Sequence, residues 1–274
     1  MKMMKIILDP RESLMQNIAS YRQEAKKYRS KASGAEKAIL ETLKESQKQN
    51  VQSTSVKKKR EWVDAFHHFL TSKNSLVIGG RNAKQNDALF AKHCAPNEWF
   101  LHADIRGSPA VVVKNAASAP IANTAATSIA TATEAELQEA AQFTASFSSA
   151  WKRGFGSVDV YAVLSSQVSK HSHGGYIDQG GFAINGERKW FKNTLLGLYI
   201  CLNEDTLQFF LRPILAGSTK LCVKILPGDK EKNAASKAIK AYFAKKLFES
   251  GKKVKLDEAE IAKLLPGNCE VVIE

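Results

Sequence analysis

The sequence predicts an α+β fold: a mixed or antiparallel sheet packed with helices, preceded by a coiled-coil-like helical arm. Three observations carry this. Short apolar or aromatic runs, Leu76-Val77-Ile78, Trp99-Phe100-Leu101 and Val111-Val112-Val113, each end in a polar cluster beside Gly or Pro. Later runs alternate as strands do, and Asn185-Gly186 between apolar stretches signals a hairpin. The first forty residues instead carry an apolar step of four, three, four, three, which belongs to a helix with a narrow seam.

Taken in order, Asp9-Pro10 with Glu12 behind it predicts a helix start, with Asp as cap and Pro at the first helical position. Leu14, Ile18, Tyr21, Ala25, Tyr28, Ala32, Ala35 and Ile39 form the seam. Ala and Tyr dilute it, so the arm calls for a partner helix. The pattern dissolves from Ser46 to Ser55, which reads as a turn or linker. Lys57-Lys58-Lys59-Arg60 then opens a second predicted helix with Trp62, Ala65, Phe66 and Phe69 as its apolar face and His67-His68 on it.

After the third apolar run, the Ala/Ser/Thr-rich stretch from Ala116 to Ala132 reads as a mobile loop. Thr133-Glu134-Ala135-Glu136 has the spacing of a capping box, and the helix behind it ends at Lys152-Arg153-Gly154. Val158 to Val163 reads as a strand, then His171-Ser172-His173-Gly174-Gly175 as a flexible turn. Tyr176-Ile177, Phe182 to Ile184 and Lys189 to Phe191 read as the hairpin, and Leu195 to Leu202 as a buried strand. Leu221 to Leu226 is a strand, Ala234 to Ser250 a lysine-rich helix, Asp257 to Leu265 a short helix, and Val271 to Ile273 the last strand. Three regions follow: a basic arm over 1–56, a central domain over 57–210, and a C-terminal extension over 211–274.

The 274 residues carry a formal net charge of +13. Residues 1–60 hold 15 Lys and Arg against 6 Asp and Glu, and the rest of the chain 25 against 21. The excess sits on the arm, which points to an anionic partner, nucleic acid before a membrane surface. No apolar run approaches the roughly 20 residues of a membrane helix, and the start is too short for a signal peptide, so a cytoplasmic location is the expectation. Cys94, Cys201, Cys222 and Cys269 fit no CxxC pattern and are expected to be buried thiols.

The strand-end clusters are rich in Arg, Lys, Asn and His, a chemistry for phosphate and polar edges. Arg81, Arg106, Lys114 and Lys170 each stand just past a predicted strand near Gly, Asn or Ser, where loops present side chains. Gly79-Gly80-Arg81 lacks the spacing of a nucleotide-binding loop. His171 and His173 lack further ligands at metal spacing. His102 and Asp104 share a strand face, yet no nucleophile stands beside them. Trp99 and Trp190 are candidates to stack on bases, though core burial is the expected place of both.

The segments REWVDAFHHFLTSKNSLVIGGRNAKQNDALF, WFLHADIRGSPAVVVKN, AAQFTASFSSAWKRG, VYAVLSSQVSK and GGFAINGERKWF, in that order, resemble the NFACT-R (DUF814-type) domain of the NFACT family of ribosome quality control factors. The match covers about 57–210. It continues more weakly through ILPGDKEKNAASKAIK and IAKLLPGNCEVV, like an archaeal version, and NIASYRQEAKKYRSKASGAEKAI resembles the start of the family's coiled coil. The family binds the large ribosomal subunit carrying a stalled peptidyl-tRNA, recruits tRNA and extends the nascent chain without a template. NFACT-R is regarded there as an RNA-binding domain.

The resemblance places the family's motif on Gly80, Arg81, Gln85, Asn86, His102, Asp104, Gly107, Lys114 and Lys170. Asn82 stands where Asp is usual and Arg106 where His is usual. The turn after Lys170 lacks the usual Pro, and Gly175 stands where an acid often precedes the Tyr. The family's N-terminal tRNA-selecting domain and helix-hairpin-helix segment are not expected in this chain, so autonomous tail synthesis is not expected of it.

The resulting expectation is a non-enzymatic RNA-binding protein that acts in rescue of stalled ribosomes. Its partners are tRNA or ribosomal RNA on the large subunit and a possible coiled-coil partner, with no membrane, cofactor or metal. Its nucleic-acid-binding residues are Arg81, Asn82, Gln85, Asn86, His102, Asp104, Arg106, Lys114 and Lys170. The rival readings are a DNA-binding adaptor, a nuclease using His102 and Asp104, and a coiled-coil module whose globule is only structural.

Overall fold

The computed structural model describes residues 7–11, 13–49, 62–114, 132–172, 175–252 and 254–273. The chain divides into two compact units, 1–54 and 55–274. In the first, helix α1 spans Leu14–Gln49. It starts later than Asp9-Pro10 predicts, because Ser13 makes the cap. The Ser13 Oγ accepts from the Gln16 N–H, and Gln16 Oε1 accepts from the Ser13 N–H at 2.7 Å. Asp9 is engaged elsewhere: its carboxylate accepts from the Arg11 N–H and its backbone exchanges two bonds with the Asn17 amide. The seam residues Leu14, Ile18, Tyr21 and Tyr28 are exposed. The helix runs through Ser46 to Gln49, where the sequence reads as a turn. Residues 50–55 of that turn, and Lys57 to Arg60, lie outside the described residues.

The second unit opens with a 3-10 turn at Trp62–Ala65 and strand β1, His67–Leu70. The predicted helix here is therefore corrected: His67, His68 and Phe69 are on a strand. A period of three over four apolar residues is too short to nucleate a helix, and β1 instead gains a full ladder against β2, Leu76–Gly79. Then follow α2 (Ala83–His93), β3 (Trp99–Ala103), β4 (Val111–Val113), α3 (Glu134–Ser146) and α4 (Ser149–Lys152). The predicted loop from 116 to 132 falls almost wholly outside the described residues. Strand β5 is Ser157–Leu164, followed by the two-residue strands β6 (Val168–Ser169), β7 (His171–Ser172), β8 (Gly175–Tyr176) and β9 (Ala183–Ile184). Strands β10 (Lys189–Leu195), β11 (Leu198–Leu202), β12 (Phe209–Pro213) and β13 (Cys222–Pro227) come next. Helices α5 (Lys232–Glu249) and α6 (Glu258–Leu264) and strand β14 (Cys269–Val272) complete the unit.

The main sheet is antiparallel throughout, in the order β1-β2-β4-β3-β5-β10, and a second sheet runs β12-β11-β13-β14. Central strands of the main sheet are covered on both faces, which is why Val111-Val112-Val113 reads as an unbroken apolar run. Val77, Leu101, Val111, Val113, Val160 and Ala162 point into the larger core with α3 and the second sheet. Ile78, Phe100, Val112, Tyr161 and Val163 point into a smaller core under α2, closed by Phe90 and Phe182. Helix α3 is buried nearly all round, and fully burying residues such as Leu137 and Phe143 contributes roughly 1.5–3 kcal/mol each. At its start Glu136 reaches back to the Thr133 N–H at 2.9 Å, as the capping-box spacing predicts, and also takes the Thr71 hydroxyl. The helix stops at Ser146 and restarts at Ser149, because Ser148 caps α4 by accepting from the Ala150 N–H.

Two further expectations are corrected. Asn185-Gly186 does form a turn, with Gly186 at φ +86°, but β9 pairs with β6 and β10 with β5. The Gln167 amide holds the carbonyls of Asn185 and Glu187, so the turn hands the chain from one sheet to another instead of closing a hairpin. The buried strand expected over 195–202 is divided at Gly197 between β10 and β11. Cys201 and Cys222 are not thiols. They are direct partners across β11 and β13 and form a disulfide. The residues lie 21 apart in sequence with no spacing signal, and only the strand order brings them opposite each other. Desolvation pushes the remaining thiols, half-buried Cys94 and buried Cys269, up to about 11.

Candidate nucleic-acid interface

At the C-terminal ends of β2 and β3 the main sheet leaves a cleft of about 660 Å³. One wall is the start of α2: Gly80, Arg81, Asn82, Ala83 and Asn86. The floor is His102 and Tyr161, and the opposite side is the loop Arg106-Gly107-Ser108-Pro109 with Phe147. The loop Asp178 to Phe182 forms the last side.

Each piece is held for a stated reason. Asn82 caps α2 by accepting from the Gln85 N–H at 2.9 Å. Gln85 Oε1 accepts from the Arg81 N–H, and its Nε2 donates to the Ala65 carbonyl. Asn86 is buried and its Oδ1 accepts from the Ala110 N–H at 3.1 Å, pinning the helix to the strand beside it. This close approach needs Gly80, since a Cβ there would sit on the Asn86 side chain and 2.9 Å from its backbone N. Across the cleft, Ser108 Oγ accepts from the Ala103 N–H and closes the 104–107 turn, with Gly107 at φ +85°. Ser149 then donates its N–H to Gly107 O and its hydroxyl to Arg106 O.

The charges fall into two classes. The Arg81 guanidinium donates to the Phe66 carbonyl at 3.1 Å, and burial lowers its pKa from the ordinary value while Asp64 opposes this. Arg106 is exposed, and among the described residues no hydrogen bond or ion pair engages its guanidinium. Lys170 reaches Asp87 at 2.9 Å and the carbonyls of Gly181 and Asp178. Asp87 also accepts from the Gly180 N–H. This pair ties the 178–182 loop to α2 and so shapes the cleft from behind. Burial lowers the His102 pKa, with Arg188 adding to the effect and the Ala103 backbone and Asp104 opposing it. Burial raises that of the Tyr161 hydroxyl. Both rings are therefore neutral near pH 7, each able to donate and accept.

The structure brings Arg81, Asn82, Asn86, His102 and Arg106 onto one cleft, with Gln85 supporting Arg81. Asp104 lies beside His102 just beyond β3. It does not bring Lys114 there. Lys114 is buried at the other end of β4, with its Nζ 2.8 Å from Glu98 Oε2 and 2.8 Å from the His93 carbonyl. The expectation of an exposed phosphate contact fails for it because the adjacent acid is buried too and captures the ammonium. Lys170 is beside the cleft as an anchor. Of the two tryptophans, Trp99 packs against the core, while Trp190 is exposed, contrary to the expectation of burial. Tyr161, Phe147 and the 178–182 loop escape sequence reasoning, because a tyrosine within an alternating strand and a Gly-Gly pair carry no signal of their own. His173 lies outside the described residues, and among those described no group of three or more His, Cys, Asp or Glu could hold a metal.

The antiparallel α+β unit thus carries a cleft walled by a helix start, by Arg106 and by two neutral rings, groups of the kind that bind polar and anionic ligands. Residues 65–186 match the family model described as the NFACT protein RNA binding domain, and the chain carries that domain. Every residue lining the cleft falls within the matched segment. The chain is 31% identical to the archaeal Rqc2 homolog of Methanocaldococcus jannaschii over 79% of its own length and 30% of that protein's. It is 32% identical to the human ribosome quality control complex subunit NEMF, over 59% of this chain and 14% of that one. The Drosophila melanogaster NEMF homolog is 30% identical over 61% and 16%. The chain thus spans under a third of the length of the curated relatives it matches.

Proposed function

We propose that this chain is a non-enzymatic RNA-binding module of ribosome quality control, engaging tRNA or ribosomal RNA on the large subunit during rescue of stalled ribosomes. The observation that carries the reading is the coincidence of the cleft with the RNA-binding domain match. The names of the relatives, ribosome quality control subunits, support the process. Arg106 contacts phosphate, and the α2 start with Asn82 favours the same charge. His102 reads polar edges, while Asn86, Gln85, Asp104 and Lys170 position the walls. The arm over 1–56 supplies non-specific attraction through its positive charge, and its exposed seam pairs with a partner helix. The globule divides functionally into the binding domain over 57–210 and the extension over 211–274. Working on ribosomes places the protein in the cytoplasm.

Co-sedimentation tests this. The full chain is expected to shift with large subunits at moderate salt, more strongly when they carry peptidyl-tRNA. No shift with either, in the presence or absence of tRNA, sinks the proposal.

A further inference from the structure

The cleft does not end at Tyr161. His102 on β3, Tyr161 on β5 and Trp190 on β10 are in register across three adjacent strands, on one face of the sheet. The ring centroids are 5.9 Å apart for His102–Tyr161 and 5.5 Å for Tyr161–Trp190. The row therefore runs from the cleft floor to the outer strand of the sheet, where Trp190 is 38% exposed. Arg188 lies over it, 4.6 Å from the Tyr161 ring and 5.9 Å from the Trp190 ring. Among the described residues no hydrogen bond or ion pair engages the Arg188 guanidinium. Lys192 lies 4.1 Å over Trp190, but its Nζ is 2.8 Å from Asp159, so it fixes the indole and its charge is already matched.

Two partner chemistries could use such a surface. A protein strand would add to the backbone of β10, yet that edge is obstructed. The register shifts between Phe191 and Thr194, Asn193 is left-handed at φ +50°, and Lys189 and Lys192 flank the site. The side-chain face is open at Trp190, with Tyr161 buried beneath Arg188 and Lys192 held against the indole. Rings in a row, a guanidinium over them and, in the adjoining cleft, the Arg106 cation match the two parts of a nucleotide, an apolar base and an anionic phosphate. A duplex hides its base faces, so only unpaired nucleotides can use the row.

We infer that the His102–Tyr161–Trp190 row with Arg188 is a stacking platform for unpaired RNA, continuous with the cleft, so that a single strand crosses from Trp190 to Arg106. This rests on the RNA-binding reading above and adds to it the strandedness of the RNA and two residues, Arg188 and Trp190. One base stacks on the Arg188 plane and Trp190, and the next phosphate enters the cleft at Arg106 and the start of α2.

The test uses the full chain, a fluorescent unstructured RNA oligonucleotide and the same oligonucleotide annealed to its complement, titrated at several salt concentrations. Trp190→Ala is expected to weaken binding of the single strand roughly tenfold, the loss of about one stacked base, with the salt slope unchanged. Trp190→Phe should restore most of it. Arg188→Lys keeps the charge and removes the plane, so it should bind nearly as poorly as Arg188→Ala. Duplex binding should be the same for all variants, and excess AMP should not displace the oligonucleotide. Far-ultraviolet circular dichroism checks that each variant is folded. The inference is overturned if Trp190→Ala and Arg188→Lys bind the single strand like the wild type, if duplex binding falls equally, or if excess AMP displaces the oligonucleotide. Those results with normal large-subunit co-sedimentation leave the function intact and remove only the platform. A wild-type chain that binds neither RNA nor subunits removes both.

Discussion

The two ends of the main sheet use the same kind of residue in opposite ways. Where β2 and β3 end, Arg106 stands exposed at the cleft with no hydrogen bond or ion pair to its guanidinium among the described residues, and the Arg81 guanidinium donates to the Asp64 and Phe66 carbonyls. Where β4 ends, Lys114 is buried against Glu98 and the His93 carbonyl. All three follow an apolar run in the sequence and carry the same charge. The difference lies in the surroundings. At the Lys114 end a buried carboxylate must be matched, since an uncompensated charge in the interior costs several kcal/mol. At the cleft end Asp87 is already shared between Lys170 and the Gly180 N–H, and among the described residues no ion pair holds Arg81 or Arg106. A cation past a strand is therefore available for a ligand only where no buried acid pairs with it.

The largest test of this contrast is Lys114→Ala. It strips Glu98 of its cation and is expected to lower stability by about 3–5 kcal/mol in urea unfolding, while the folded fraction keeps its RNA affinity and salt slope. A flattened salt slope would break the comparison and return Lys114 to the interface. Next comes Gly80→Ala, which forces Asn86 away from Ala110 and should lower stability by about 2–3 kcal/mol with loss of RNA binding. Unchanged stability would mean that the α2 start is not held as tightly as the cleft requires.

A third test concerns His67, which stacks on the cleft residue Phe147 at 4.0 Å. Burial, then Arg81, Lys232 and His68, lower its pKa to about 3, and its Nδ1 has no hydrogen-bond partner. The folded value lies below the unfolded one, so the unfolded chain binds the extra proton. Stability from this group is complete above about pH 6.5 and is lost as pH falls toward 3, by about 1–2 kcal/mol at pH 5. His67→Phe should flatten that part of the pH profile, and an unaltered profile would assign the acid sensitivity elsewhere. The smallest effect on the fold belongs to Arg106→Ala: stability within about 0.5 kcal/mol of the wild type, with RNA affinity reduced and the salt slope smaller by about 0.7–0.9. An Arg106→Ala chain with full affinity would remove the unengaged cation from the interface.

Much of this was legible before any coordinates. Strands β2, β3, β4 and β5, helices α5 and α6, and the Glu136 contact at the start of α3 follow from apolar runs, turn residues and cap spacing, which are local. Arg81, Asn82, Asn86, His102 and Arg106 were legible as a set because strand ends carry ligand-facing loops and because their motifs resemble those of a known RNA-binding domain. Four residues of apolar spacing around Trp62 were not enough to separate helix from strand, and an Asn-Gly turn does not say which sheet its second strand joins.

By itself the sequence determined the α+β class, the long basic first helix, and which polar clusters could face a ligand. Each depends on residues within a few positions of one another. Only the tertiary structure decided that Lys114 is buried and Arg106 is not, that Cys201 meets Cys222, and that His102, Tyr161 and Trp190 share one face from cleft to edge. Those depend on which strands lie side by side. Strand order and register are set by packing between distant segments, which the local pattern of a chain does not record.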